Sequence, residues 1–228
     1  MELLLPAEAV VVVADSPATW KEGLLPEEEA CLGVRAAAGR RREFTAGRNC
    51  ARRALAELGA PAGPLLAGDN REPLWPAGVV GSITHTADYC AAAVAWRDVI
   101  GGLGIDAELH QPLPGGVGAM VCTPSERDWI ASAPDGTHWD TVVFCAKESV
   151  FKAWFPLAGR WLNFTGAELA IEPGECRFDV RFLVPVPPGL DGDPHTVAGR
   201  FQVTGPYVLT AVTAPPCRPG HVQGQVGG

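Results

Sequence analysis

Phe144-Cys-Ala-Lys-Glu-Ser-Val-Phe-Lys-Ala-Trp-Phe155 sets three charged side chains, Lys147, Glu148 and Lys152, in an otherwise apolar and aromatic segment. On a helix, Phe144, Glu148, Phe151 and Phe155 share one side, with Lys152 beside Glu148 at i+4. A carboxylate among three phenyl rings is costly to bury without a partner. Two readings follow. Lys152 neutralises Glu148 as a structural pair, or a ligand outside the helix requires the charge. The pattern predicts a helix from about Trp139 to the residue before Pro156.

Upstream, Gly104-Ile-Asp-Ala-Glu108 closes the third of three strand-like runs, over 79–85, 89–96 and 103–108. Thr86-Ala87-Asp88 and residues 97–102 supply turns, so an antiparallel meander is expected. Side chains at i and i+2 of a strand face the same way, which sets Asp106 and Glu108 about 6–7 Å apart. Two carboxylates so placed repel unless a cation lies between them; a solvated hairpin edge is the other reading. In Gly81-Ser-Ile-Thr-His85, small and hydroxyl residues beside a histidine suit a phosphate, or simply a satisfied turn.

Residues 40–58 carry an apolar stripe of Phe44, Ala51, Leu55 and Leu58, with Gly59 as stop signal. Arg41, Arg48 and Arg52 form a second stripe beside it, either a solvated face or an anion site. Residues 61–76 are a Pro/Gly-rich connector. Thr123-Pro-Ser-Glu126 combines a capping box with proline at the first helical position, opening a helix to about Ala131. Strands are expected near 10–14, 167–171, 176–184, 196–203 and 207–213, and a disordered tail over 215–228. The layout is α+β, two halves of similar build, each with a helix and a small sheet.

At 228 residues, with 47% hydrophobic and 19% charged residues, the chain is a folded globular protein. Its net charge of −8 argues against nucleic acid as a partner, although seven of the 18 Lys and Arg fall between Arg35 and Arg53. Seven cysteines without a CxxC pair read as reduced thiols of a cytoplasmic protein, and the five histidines show no zinc spacing. The apolar run of residues 10–13 is too short to span a membrane.

Several segments occur here in a fixed order: Arg41-Arg-Glu-Phe-Thr-Ala-Gly-Arg-Asn-Cys-Ala51, Trp75-Pro76, Gly81 to His85, Gly104 to Glu108, His138-Trp-Asp140, Phe144 to Pro156 and Trp161-Leu-Asn-Phe164. Together, over roughly 40–170, they resemble the Sfp-type 4′-phosphopantetheinyl transferases, in the branch of bacterial siderophore and polyketide enzymes. The resemblance implies transfer of the 4′-phosphopantetheine arm from coenzyme A to a serine of apo acyl or peptidyl carrier proteins. The by-product is adenosine 3′,5′-bisphosphate, so the enzyme is a holo-[acyl-carrier-protein] synthase of polyketide, non-ribosomal peptide or fatty-acid synthesis. It also implies a monomer of two pseudo-twofold-related α+β halves, each with a helix packed on a small antiparallel sheet. Residues 1–103 then bind coenzyme A phosphates, and residues 104–214 hold the metal and face the carrier.

By the same resemblance, Asp106, Glu108 and Glu148 hold Mg²⁺, with Mn²⁺ as the alternative. Glu148 and Lys152 carry the catalytic role, and Lys147 and Lys152 lend positive charge to the pyrophosphate. Phosphates fall to Arg40 or Arg41, Arg48, Ser82, Thr84 and His85. Phe151, Trp154 and Phe155 read as core. One departure is that the segment before Trp75-Pro76, residues 66–70, lacks a lysine found in relatives; Arg71 is the basic residue nearby. Rival readings are a silent coenzyme A or carrier binder and a metal-dependent pyrophosphohydrolase.

Overall fold

Alternation along one strand sets the layering. The computed structural model describes residues 1–14, 16–33, 35–61, 63–186 and 197–216. In chain order the elements are β1 (Val10–Val13), α1 (Pro17–Lys21), α2 (Pro26–Glu29), α3 (Ala38–Leu58), β2 (Val79–Thr86), β3 (Tyr89–Trp96), β4 (Gly102–Leu109), α4 (Val117–Val121), α5 (Pro124–Ile130), α6 (Trp139–Ala158), β5 (Ala167–Glu172), β6 (Arg177–Phe182), β7 (Ala198–Thr204) and β8 (Tyr207–Ala214). On β3, Cys90, Ala92 and Val94 join apolar clusters with α3, while Ala91, Ala93 and Ala95 pack with Leu103, Ile105, Ala107, Leu209 and Ala211 of the second sheet. Small side chains on both faces let a helix and a sheet approach β3 closely.

The sheets are antiparallel, in the orders β1-β3-β2 and β4-β8-β7-β6-β5. A long helix packs on each, α3 on the first and α6 on the second, giving the mixed α/β build expected from the sequence. The hairpin of β2 and β3 forms with its turn at Ala87, at φ 46°. The third strand does not complete a meander. β4 pairs with β8 from Gly102↔Ala214 to Leu109↔Tyr207, leaving β3. The crossing is tight: a Cβ at Gly101 would lie 2.1 Å from the Pro215 carbonyl oxygen.

Both long helices end on a left-handed glycine, Gly59 at φ 76° and Gly159 at φ 60°, as the αL cap requires. The expected stop before Pro156 is corrected, because α6 runs on to Ala158. Proline forfeits one bond there, to the Lys152 carbonyl. Trp154 holds the last turn, packed on Phe182 at 4.9 Å and donating its indole N–H to the Arg160 carbonyl at 3.0 Å. The capping box at Thr123 forms as expected. The short α1, α2 and α4 carry too few residues for a periodic signal.

Cys50, Cys90, Cys122 and Cys145 are buried thiols, Cys31 is half-buried and Cys176 exposed. Cys217 and the expected tail beyond Pro216 lie outside the described residues. Among the described residues no helix is long and apolar enough to cross a membrane.

Candidate active site

Two elements of the second half and one of the first converge on Asp106. A Cβ at Gly104 would lie 1.9 Å from the Ser149 carbonyl oxygen, so only glycine lets α6 rest on β4 at this height. From that contact, β4 presents Asp106 and Glu108, and α6 presents Glu148 and Lys152. The strand β2 runs against β4 and is stapled to it by Ser82, whose Oγ accepts from the Ile105 N–H at 3.0 Å.

Asp106, not Glu148, is the carboxylate that pairs with Lys152. The Lys152 Nζ donates to Asp106 Oδ1 at 2.7 Å, Ile105 O at 3.1 Å and Ile83 O at 3.2 Å, which uses all its ammonium hydrogens. Burial works against the Lys152 charge, but Asp106 and Glu148 outweigh it and hold the ammonium above its ordinary value. Thr84 Oγ1 also donates to Asp106 Oδ1, at 3.1 Å. Asp106 Oδ2 is buried with no partner.

Around this pair the negative charge is under-compensated. Burial, then the Asp106 charge, pushes Glu108 up to about 7, and the same causes raise Glu148. The structural pair Glu148–Lys152 is not formed, since the pairing of Lys152 is with Asp106.

In front of Lys152 opens a cleft of about 280 Å³, walled by Arg40, Arg48, Arg71 and His85 and by the rings of Phe44, Trp75, Phe151, Phe155 and Trp161. Both halves contribute. Arg48 is buried, stacks on Phe44 at 4.2 Å and donates Nε–H to the Leu65 carbonyl at 2.7 Å, leaving Nη2 without a partner. Burial lowers its pKa to about 10, still cationic at neutral pH. Arg40 Nη1 lies 3.4 Å from His85 Nε2, and Glu43 lies 3.6 Å from His85 Nδ1. Burial, only partly opposed by Glu43, lowers the His85 pKa, so the neutral ring accepts from Arg40. Arg71 reaches the same cleft from a left-handed position at φ 68°, on the segment where the expected lysine is absent.

Four expectations are corrected. Arg41 pairs with Glu29 on the surface and does not line the cleft. Thr84 gives its one hydroxyl hydrogen to Asp106 and does not line the cleft, whereas Ser82 lines it, accepting from the Ile105 N–H at 3.0 Å and facing the Ile105 carbonyl at 3.5 Å. Lys147 points away from the carboxylates, donating to Glu126 Oε2 at 2.7 Å and to the Val121 and Phe164 carbonyls at 2.9 Å. Phe155 lines the cleft, Phe151 lines it while packing against the core, and Trp154 is buried as expected. The residue missed was Glu126. Its carboxylate takes Lys147 together with the N–H groups of Thr123 and Leu169, at 2.7 and 2.8 Å, and the capping box was its only sequence signal.

A second cavity of about 330 Å³ lies beyond the Phe151 and Trp161 rings, which stand 4.5 Å apart, with Glu148, Met120 and Phe164 on its walls. Among the described residues no group of three or more His, Cys, Asp and Glu side chains forms a ready-made cation site. The donor set nevertheless suits a hard divalent ion. It offers an orphaned carboxylate oxygen and two further carboxylates held in surplus negative charge, and Mg²⁺ takes few protein ligands when water and phosphate supply the rest.

Residues 27–95 match the family model described as the 4′-phosphopantetheinyl transferase N-terminal domain, and residues 102–184 match that of the 4′-phosphopantetheinyl transferase superfamily. The chain is 48% identical over 219 residues to the 4′-phosphopantetheinyl transferase Svp of Streptomyces mobaraensis, covering 92% of this chain and 87% of that protein. It is 46% identical over 196 residues to PptT of Mycobacterium tuberculosis, covering 83% and 86%. Over 120 residues it is 38% identical to enterobactin synthase component D of Salmonella typhi, about half of each chain. With both halves matched in order and the sheets, long helices and basic cleft in place, the chain belongs to the 4′-phosphopantetheinyl transferase superfamily.

Proposed function

We propose that this chain is a Mg²⁺-dependent enzyme that moves 4′-phosphopantetheine from coenzyme A to a serine hydroxyl of an apo acyl or peptidyl carrier protein. The observation that carries the reading is Asp106 Oδ2, a buried carboxylate oxygen left unpartnered in the side chain that pairs with Lys152, itself on the wall of a basic, aromatic cleft. Asp106, Glu108 and Glu148 would hold Mg²⁺, with Mn²⁺ as the alternative; bound there, the ion supplies charge neutralisation on the pyrophosphate.

The protein's own groups do the rest. Arg48 Nη2, Arg40 and Arg71 bind the coenzyme phosphates, with His85 orienting Arg40, and Arg48 acts through charge-assisted bonds from a guanidinium already locked by Leu65 and Phe44. Lys152 has no free hydrogen to transfer, so it contributes fixed positive charge where the leaving phosphate forms. Glu148, on the wall of the second cavity, faces the side from which a serine arrives and takes up its proton while the new P–O bond forms. Cleavage of the pyrophosphate then releases adenosine 3′,5′-bisphosphate. Exposed Met120, at 73%, and Trp161 flank that entrance and meet the carrier. Residues 1–103 act as the coenzyme half and 104–214 as the metal and carrier half of a cytoplasmic monomer.

The test is to incubate the protein with coenzyme A, Mg²⁺ and an apo carrier, then weigh the carrier. Added phosphopantetheine supports the transferase. Cleaved coenzyme A with unmodified carrier means a pyrophosphohydrolase, and intact coenzyme A means a silent binder.

A further inference from the structure

Across the β4–β8 ladder from Asp106 stands Thr210, wholly buried. Paired residues of neighbouring strands project to the same face, so its side chain shares the α6 side with Asp106. The Thr210 hydroxyl donates to the Cys145 carbonyl at 2.9 Å. With its single hydrogen so used, it accepts from the Ser149 hydroxyl at 2.5 Å, and the Cys145 Sγ lies 3.3 Å away. Cys145 and Ser149 are one turn apart on α6, and Glu148 sits between them in sequence. The surrounding layer is apolar, with Val142, Val143, Val150, Val208 and Val212. Valine has nearly the shape of threonine, and a hydroxyl in such a layer is disfavoured unless bonded.

We infer that Thr210 is a positioning residue, pinning α6 to β8 opposite Asp106 and so fixing where Glu148 stands relative to Asp106 and Glu108. The inference rests on the transferase reading above. Asp106 and Glu148 belong to different elements, and their separation depends on how α6 is seated. Lys152 fixes α6 to β4 at one level, and Thr210 fixes it to β8 at Cys145, about two turns earlier.

The experiment compares Thr210→Val and Thr210→Ser with wild type. Thr210→Val is expected to keep its circular dichroism and its KM for coenzyme A, while the Mg²⁺ half-saturation rises and kcat falls roughly ten- to a hundredfold, as when an outer partner of a metal ligand is lost. Thr210→Ser should recover most of both. Wild-type kcat and Mg²⁺ dependence in Thr210→Val, whatever its thermal stability, overturns the inference; so does an equal defect in both variants, because Thr210→Ser keeps the hydroxyl to which the role is assigned. If Thr210→Val fails to fold, Ser149→Ala removes the adjoining hydroxyl and should shift Mg²⁺ dependence in the same direction; no shift there overturns it. Calorimetry of Mn²⁺ binding to the protein with coenzyme A gives a readout without turnover. Wild type that binds Mn²⁺ but modifies no carrier defeats the transferase reading alone, and weaker Mn²⁺ binding by Thr210→Val still supports the positioning role. Wild type that does not bind Mn²⁺ overturns both.

Discussion

Lys147 and Lys152 lie five residues apart on one helix and make nearly the same bonds. Each ammonium meets one carboxylate oxygen at 2.7 Å and two backbone carbonyls. Their partners differ. Both oxygens of Glu126 are satisfied, by Lys147, Thr123 and Leu169, and the pair is sealed at 2% side-chain exposure. Asp106 keeps one oxygen unpartnered, and the Lys152 side chain is 26% exposed at the edge of a cleft. A buried ion pair with every valence met acts as a structural joint; one with a valence left over is a candidate for ligand binding.

That contrast can be broken by mutation. Lys147→Ala leaves Glu126 as an uncompensated buried charge and should cost about 3–5 kcal/mol of unfolding free energy, read by urea denaturation. A loss under about 1 kcal/mol would end its role as a joint. Asp106→Ala should instead leave the fold standing and cut transfer by more than roughly a hundredfold at saturating Mg²⁺, beyond the loss usual for an outer partner of a metal ligand. Near-normal turnover would remove Asp106 from the site.

Two smaller effects sharpen it. Arg48→Ala should weaken coenzyme A binding by about 1.5–3 kcal/mol, roughly ten- to over a hundredfold, with little change in kcat. Dephospho-coenzyme A, which lacks the ribose phosphate, identifies the contact: equal discrimination against it by mutant and wild type would place Arg48 elsewhere. Met120→Asp, at an exposed position on the second cavity, should raise KM for the carrier several-fold and leave KM for coenzyme A alone. Val121 and Cys122 are core and Trp129 packs on Trp139 at 5.3 Å, so Met120 is where the segment offers apolar surface. An unchanged carrier KM would move the docking face away from α4.

The sequence by itself determined the two long helices, the strand set, the capping box at Thr123 and the pairing of carboxylates on β4, because periodicity, caps and i,i+2 spacing are local properties of the chain. Motif order, through the family resemblance, also proposed a site that includes Arg48, His85, Asp106, Glu108, Glu148 and Lys152. The sequence could not tell Arg40 from Arg41, since both sit near the start of α3, and only the opposite wall decides which faces His85 and which faces Glu29. Nor could it show that Thr84 gives its hydrogen to Asp106, that β4 leaves its hairpin neighbours for β8, or that Lys147 turns towards Glu126. Those outcomes depend on partners far off in sequence, 21 residues for Lys147 and Glu126 and 98 to 112 for β4 and β8. The physical reason is that a side chain's type fixes what it can bond, whereas its burial and the bonds left over are fixed only when distant elements close around it.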